Sequence, residues 1–254
     1  MSDNWMFNPM LIGNAKHGDR DVIRTRFDMP CKRSASLNNA KAAIWDGPTA
    51  GYVFPTAPMQ MQVVSSSAAD AAAGTGVQQI HIHYLDRTYT EQEISVTLNG
   101  VTPVLTVPTD ILRINAFHAV RLGSAGDAVS NISVQNVGGT VTYGILTAGH
   151  NRARHPVFTV PAGKTAYIAK WKVTSASAAA AIVDVELEAT AHYGVLYPGV
   201  MLMQDIAVGQ YLIEDIDLRL PIVLPATADV LVTGISAGAA DNATVTANVF
   251  GWYE

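Results

Sequence analysis

Charge, cysteine and aromatic residues are all scarce in this sequence of 254 residues. Asp, Glu, Lys and Arg make up 15% of the chain, aromatic residues make up 7%, and Cys31 is the single cysteine. One cysteine excludes an intramolecular disulfide framework and a zinc module built from several cysteines. Soluble domains are usually about a quarter charged, so much of this surface is expected to be either neutral or covered by a partner.

Long apolar runs are missing as well. No stretch reaches the roughly 18 apolar residues that a membrane-spanning helix needs. The N-terminus does not combine a basic segment with an apolar one, as a signal peptide does. We therefore expect no membrane association, and we expect synthesis in a cytoplasm.

The charges that are present are unevenly distributed. Residues 1–41 carry a net charge of +3 and the rest of the chain carries −8, for a total of −5. Binding to nucleic acid depends on clustered Lys and Arg that contact phosphates. The anionic remainder therefore argues against a direct nucleic-acid partner.

From residue 60 onward, short segments with alternating polarity dominate. Residues 77–85, 93–98 and 182–192 each place apolar side chains at every second position. This period predicts strands with one buried face, and the Asn99–Gly100 pair predicts a hairpin turn. About fifteen such strands, without an amphipathic helix of ordinary length, predict an all-β fold built as an antiparallel sandwich or barrel.

Residues 1–59 follow a different pattern. Pro and Gly recur too closely for long elements, yet large apolar residues are too frequent for a solvated tail. We interpret this segment as an irregular N-terminal arm that precedes a β-sandwich body at 60–254. Its positive charge favours docking on a neighbouring subunit, and folding over its own body is the alternative. The candidate partner-binding anchors are Trp5, Phe7, Arg20, Arg24, Arg26, Phe27 and Trp45.

The body contains a faint internal repeat. Residues 103–112 resemble residues 221–231, and a Ser-Ala-Gly sequence follows each segment. Two architectures are compatible with this repeat. The body is either one large, jelly-roll-like sandwich or two packed sandwiches with a boundary near residues 149–156.

Two histidines are the only candidates for a metal site. His81 and His83 lie on the polar face of one predicted strand, which is a spacing that a zinc site on a β-sheet uses. The sequence indicates no third ligand, and a polar face exposed to solvent or to an interface is the simpler interpretation. We therefore predict no metal and no cofactor.

Two groups of carboxylates are the residues that could indicate enzymatic activity. Paired carboxylates can hydrolyse glycosides, but a solvated outer sheet face explains both groups. The sequence contains no nucleophile elbow and no phosphate-binding loop. We therefore expect no catalytic residues and no enzymatic activity. The carboxylates are Asp184, Glu186 and Glu188 in one group, and Glu214, Asp215 and Asp217 in the other.

Several turn-and-strand segments resemble virion structural proteins of tailed bacteriophages. They are residues 65–76, 80–86, 91–93, 97–104, the hairpin at 158–168 and the close at 221–253. The resemblance covers roughly residues 60–254 and does not extend to residues 1–59. It implies a jelly-roll protein of the phage head or tail that is located in the virion.

The resemblance implies a non-enzymatic protein that decorates or cements a capsid. Its expected partners are further copies of itself, in a trimer or another closed ring, and the major capsid protein or other virion proteins. A head–tail or tail junction protein is one alternative. A carbohydrate- or receptor-binding module of a fibre or spike is another, and it would present exposed aromatic residues such as Tyr193, Tyr197 or Trp252.

Overall fold

The described part of the chain consists of strands and the turns between them. The computed structural model describes residues 24–34, 37, 40–48, 51–177, 182–190, 200–208, 213–236 and 243–254, and no helix occurs among them. The strands are β1 (Thr25–Arg33), β2 (Ala42–Ala43), β3 (Met61–Ser65), β4 (Val77–Asp86), β5 (Glu91–Thr97), β6 (Val104–Leu105), β7 (Ile111–Leu122), β8 (Ile132–Asn136), β9 (Thr142–Leu146), β10 (Val157–Thr159), β11 (Ala166–Ser177), β12 (Val183–Thr190), β13 (Val200–Val208), β14 (Ile213–Leu224), β15 (Asp229–Ser236) and β16 (Ala243–Tyr253).

These strands form four antiparallel sheets. Sheet 1 has the order β1-β16-β11-β14, and sheet 2 has the order β10-β15-β12-β13, with β2 also pairing with β15. Sheet 3 has the order β5-β4-β7, and sheet 4 has the order β6-β3-β8-β9. The prediction of an all-β, antiparallel protein is confirmed. The strands are divided over four sheets rather than over the two sheets of one large sandwich.

Sheets 1 and 2 share one hydrophobic core, and we call them the main body. The alternation predicted for β12 places Val183, Val185 and Leu187 in this core, facing residues of β11 and β16 such as Trp171 and Val249. Fully burying such a side chain stabilises the fold by about 1.5–3 kcal/mol. From β10 to β16 the chain changes sheet at every connection except the one between β12 and β13.

Sheets 3 and 4 share a second core, and we call them the inserted body because their strands lie in the chain between β2 and β10. In β4, Ile80, Ile82 and Tyr84 face this core, as the alternation predicts. The sheet membership of the chain changes between Leu146, which ends β9, and Val157, which begins β10. No helix long and apolar enough to cross a membrane occurs among the described residues.

The prediction that residues 1–59 are irregular is wrong for residues 25–33. This segment forms β1, which pairs with β16 of the same chain along nine residues. Phe27, Met29 and Cys31 alternate with polar positions and enter the core of the main body. The sequence did not predict this strand because Pro30 lies within it, and proline is unfavourable inside a sheet. An edge strand tolerates it, and β1 is the edge of sheet 1.

The turn predicted at Asn99–Gly100 has a different role from the one expected. The strand before it, β5, pairs with β4, whereas the next strand, β6, pairs with β3 in another sheet. The turn therefore carries the chain from sheet 3 to sheet 4 instead of closing a hairpin. Gly100 has a φ of 59°, and a Cβ there would lie 2.9 Å from the Cα of Ala68, so the position requires glycine.

Candidate functional site

Three of the seven predicted arm anchors, Trp5, Phe7 and Arg20, lie outside the described residues. Of the others, Arg24 is buried, and its Nε donates a hydrogen bond of 2.5 Å to Glu254. Arg26 is exposed on β1. The positive charge of the N-terminal segment is thus partly neutralised by an acidic residue of its own chain.

The aromatic anchors are covered by their own chain as well. Phe27 stacks on Phe158 with ring centroids 4.1 Å apart, and it is 7% exposed. Trp45 is 1% exposed and makes an edge contact with Tyr52. Both side chains contribute to the stability of the described fold, and neither presents a free surface to a neighbour.

A cleft of about 650 Å³ separates the two bodies. Its walls come from β1, β10 and β16 of the main body and from β4, β5 and β7 of the inserted body. Arg152 also lines the cleft, and it donates two hydrogen bonds to the carboxylate of Asp28, at 2.7 and 3.0 Å. Both polar and apolar side chains line the space, and they include Glu91, Gln92, Glu93, Asn115, Phe158 and Tyr253.

A buried ion pair joins the two bodies. Arg113 of β7 donates from Nε and Nη2 to the two carboxylate oxygens of Asp229 in β15, at 2.8 and 2.9 Å. Its Nη1 donates to the backbone carbonyl of Pro55, and Thr159 donates its hydroxyl to Asp229. Burial by itself lowers the pKa of Arg113, but the hydrogen bonds and charge of Asp229 outweigh it and raise that pKa.

A cluster of histidines covers the outer face of sheet 3, beside the cleft. His81 Nε2 lies 3.2 Å from one carboxylate oxygen of Glu93, and His83 Nδ1 lies 3.1 Å from the other. The register explains this proximity, since His83 is opposite Glu93 and His81 is opposite Ser95. His81 Nδ1 is 3.0 Å from the Ser95 hydroxyl. The polar face predicted for β4 therefore carries two histidines that contact residues of β5. Histidine is a side chain that can bind a metal ion.

Sequence reasoning missed a third histidine in this cluster. His118 of β7 is paired with His81, and its ring centroid lies 5.6 Å from those of His81 and His83. Burial, His83, His81 and Arg152, in that order, lower the pKa of His118 and favour the neutral ring, despite the opposite effect of Glu93. No local pattern relates His118 to β4, because only the pairing of β4 with β7 brings them together.

Two carboxylates of each predicted group form ion pairs with a lysine. Glu188 is buried rather than solvated, and Lys41 donates to it at 2.5 Å and to Glu186 as well. These hydrogen bonds, first to Glu186 and then to Glu188, raise the pKa of Lys41. Lys170 contacts Asp215 and Asp217 in the same manner. Both arrangements have the geometry of structural ion pairs between strands or between a strand and the N-terminal segment.

Comparisons with known proteins identify no family. No family model matches the sequence, and no curated protein matches it. Among solved structures, a chain from infectious bursal disease virus, strain Gx, has 10% identity and a TM-score of 0.23, with 93% of this chain and 72% of that chain covered. A chain from strain Gt of the same virus has 8% identity and a TM-score of 0.21, with coverage of 92% and 74%. Scores this low do not establish a shared fold.

Proposed function

We propose that this protein is a non-enzymatic structural component of a virion that acts by associating with copies of itself and with other virion proteins. The observation that carries the proposal is the strand order of the main body. Counted along the chain, β1 and β10–β16 are eight strands whose two sheets have the orders 1-8-3-6 and 2-7-4-5. This is the order of an eight-stranded jelly roll, a fold that recurs in viral capsid and lectin domains.

An apolar edge strand supports association as the mode of action. Among the described strands, β14 pairs only with β11, so its other edge is unpaired. Leu220 is 85% exposed, and Ile213 and Val223 are also exposed on this strand. Exposed edge strands are sites at which chains associate. A second copy of this chain is the occupant that we propose, since the same edge of an identical strand offers matching unpaired backbone groups, and Lys170 offsets part of the charge of Asp215 and Asp217.

The resemblance to tailed-phage virion proteins refines the proposal. It favours a protein that decorates or cements a phage capsid, in a trimer or another closed ring, over a head–tail or tail junction protein. Many weak contacts made at once by such a ring hold it firmly on a shell. This location within the particle is the finer part of the proposal, and a map of the intact particle tests it.

Substitution of the apolar edge tests self-association. Leu220→Lys introduces a charge at the centre of the proposed contact, and we expect it to shift the protein from oligomer to monomer in sedimentation velocity. Val107→Lys is the matched control, because Val107 is also 85% exposed but belongs to the inserted body. A wild-type protein that remains monomeric at the highest soluble concentration contradicts the proposal, as does equal oligomerisation of wild type and Leu220→Lys.

The cleft favours a second candidate function, which is the binding of a carbohydrate or receptor. Its volume of about 650 Å³ lies within the range of ligand pockets. The aromatic rings along it are buried, and Trp252, which we expected to be exposed, is only 8% exposed and stacks on Tyr167. Tyr193 and Tyr197 lie outside the described residues. Selective binding on a glycan array, abolished by Gln92→Ala at the exposed wall of the cleft, would support this function over assembly alone.

A further inference from the structure

We propose that His81, His83 and Glu93 bind a divalent transition-metal ion, with zinc as the best match, on the outer face of sheet 3. The donor atoms of these three side chains all lie within 4.8 Å of one another. Two imidazole nitrogens and one carboxylate oxygen form a ligand set typical of zinc sites with an open coordination position. The site is independent of the association surface on β14, which lies in the other body.

The distances between the imidazole nitrogens and the carboxylate oxygens are close to those that a bound ion imposes. Each oxygen of Glu93 lies 3.1 or 3.2 Å from one imidazole nitrogen. Zinc bonds of about 2.0–2.2 Å in tetrahedral geometry place neighbouring ligand atoms roughly 3.3–3.6 Å apart. Each imidazole nitrogen therefore already lies near the separation from the carboxylate that a bound ion imposes, and the three donor atoms lie within 4.8 Å of one another.

The sheet positions the ligands before the ion binds. His81 and His83 share one face of β4, and Glu93 is opposite His83 on the adjacent strand, β5. Because β4 is paired on both sides, with β5 and with β7, the backbone that carries the two histidines is fixed by hydrogen bonds. A preformed arrangement of this kind lowers the conformational entropy lost on binding.

Ser95 provides the supporting contact that metal-binding histidines usually have. When His81 donates its Nδ1 hydrogen to the Ser95 hydroxyl, at 3.0 Å, its Nε2 keeps a lone pair that points toward Glu93. Such outer contacts orient the ring and select its tautomer. The ring of His118 lies beside the site, with its centroid 5.6 Å from those of His81 and His83.

Metal titration of the untagged full-length protein tests the site. After treatment with a chelator, we expect isothermal titration calorimetry to show one zinc ion bound per chain. Cobalt bound at the same site is expected to give the visible absorption of a low-coordinate ion and to be displaced by zinc. His83→Ala and Glu93→Gln should each weaken zinc binding at least tenfold, whereas Ser95→Ala should weaken it by about tenfold through loss of the outer contact.

His150→Ala is the matched control, since it removes a histidine from a loop outside the cluster and should leave zinc binding unchanged. Glu93→Gln preserves the shape of the side chain, so it keeps the test valid if His83→Ala disturbs the fold. Circular dichroism of each variant verifies folding. Two results would overturn the proposal: a wild-type protein that binds no zinc or cobalt stoichiometrically, or binding that is unchanged in both His83→Ala and Glu93→Gln.

Discussion

Buried polar side chains organise several loops of this protein, and Asp70 is the clearest case. Its carboxylate is fully buried and accepts four hydrogen bonds between 2.7 and 3.1 Å. Charge-assisted hydrogen bonds of this kind offset the cost of burying a carboxylate. These hydrogen bonds connect the segment at 65–76, which is rich in small residues, with the loop before β8. They give this segment a defined conformation although it has few large side chains to pack. The donors are the Ser65 hydroxyl and the amides of Val77, Val129 and Ser130.

At the same scale, His155 makes stability depend on pH. The Ile114 carbonyl can only accept, so His155 Nε2 donates the hydrogen bond of 3.0 Å between them. Burial lowers the pKa of His155 from 6.5 to about 4, despite the opposing effect of this hydrogen bond. Between pH 6.5 and 4 the unfolded chain therefore binds a proton that the folded chain does not. Stability contributed by the neutral ring is complete above pH 6.5 and is lost as pH falls toward 4, by about 3 kcal/mol.

Urea unfolding from pH 7.5 to 4 measures this effect. We expect the free energy of unfolding to fall less steeply with decreasing pH in His155→Gln than in wild type, because the amide can still donate but cannot titrate. His150→Gln is the control, and its slope should match that of wild type. Equal slopes for wild type and His155→Gln would show that this histidine does not couple protonation to folding.

At the scale of elements, the sequence predicted correctly those features that depend only on residues close together in the chain. In β4 the alternating residues predicted both the strand and its buried face, because side-chain direction in a strand depends only on its own backbone. The same alternation is present in β1, but it is limited to one strand and contains Pro30, so the sequence did not predict a strand there. For Asn99–Gly100 the turn was predicted, whereas the pairing of the strands around it was not, since pairing depends on residues distant in sequence.

The docking of β1 on its own body leads to a prediction about Cys31. This thiol is 2% exposed, and burial raises its pKa well above the ordinary value. Because reaction requires the exposed thiolate, we expect no modification of Cys31 by an aromatic disulfide reagent in the native protein, and modification at the rate of unfolding in urea. Rapid native-state modification would mean that β1 leaves sheet 1 readily, as an exchangeable arm does.

A matched variant shows that the reagent can reach this strand. Arg26 is exposed on β1. Arg26→Cys in a Cys31→Ala background places the thiol on the outer face of the same strand. It should react rapidly under native conditions. The contrast between the two positions then reports burial of one face of β1 rather than poor reactivity of the whole segment.

At the scale of the whole molecule, the relation between the two bodies depends on the joint around Arg113 and Asp229. Both side chains are at least 90% buried, and they come from different bodies. Asn115 reinforces the joint through two hydrogen bonds with the backbone of Thr159, at 2.8 and 2.9 Å. The Tyr253 hydroxyl also donates to Glu91 across the cleft. The cleft and the histidine cluster therefore keep a fixed position relative to the main body.

Breaking this ion pair tests its role. Asp229→Ala leaves a buried guanidinium without its carboxylate, so we expect the free energy of unfolding in urea to fall by about 3–5 kcal/mol. The double variant Arg113→Met with Asp229→Leu should recover much of this loss, because no buried charge remains. Asp28→Ala removes a half-exposed partner of Arg152 and should cost less than about 1 kcal/mol. A loss from Asp229→Ala as small as that control would exclude a structural role for the pair.

By itself, the sequence determined the all-β class, the faces of individual strands and the scarcity of surface charge, because composition and period-two alternation are local properties. Only the tertiary structure decided that β1 completes sheet 1 of its own chain, that four sheets form two cores, and that Glu93 and His118 lie beside His81 and His83. Each of these outcomes depends on pairing between distant segments. Their association is selected by the total apolar surface buried and by the hydrogen bonds satisfied, which no short stretch of sequence contains.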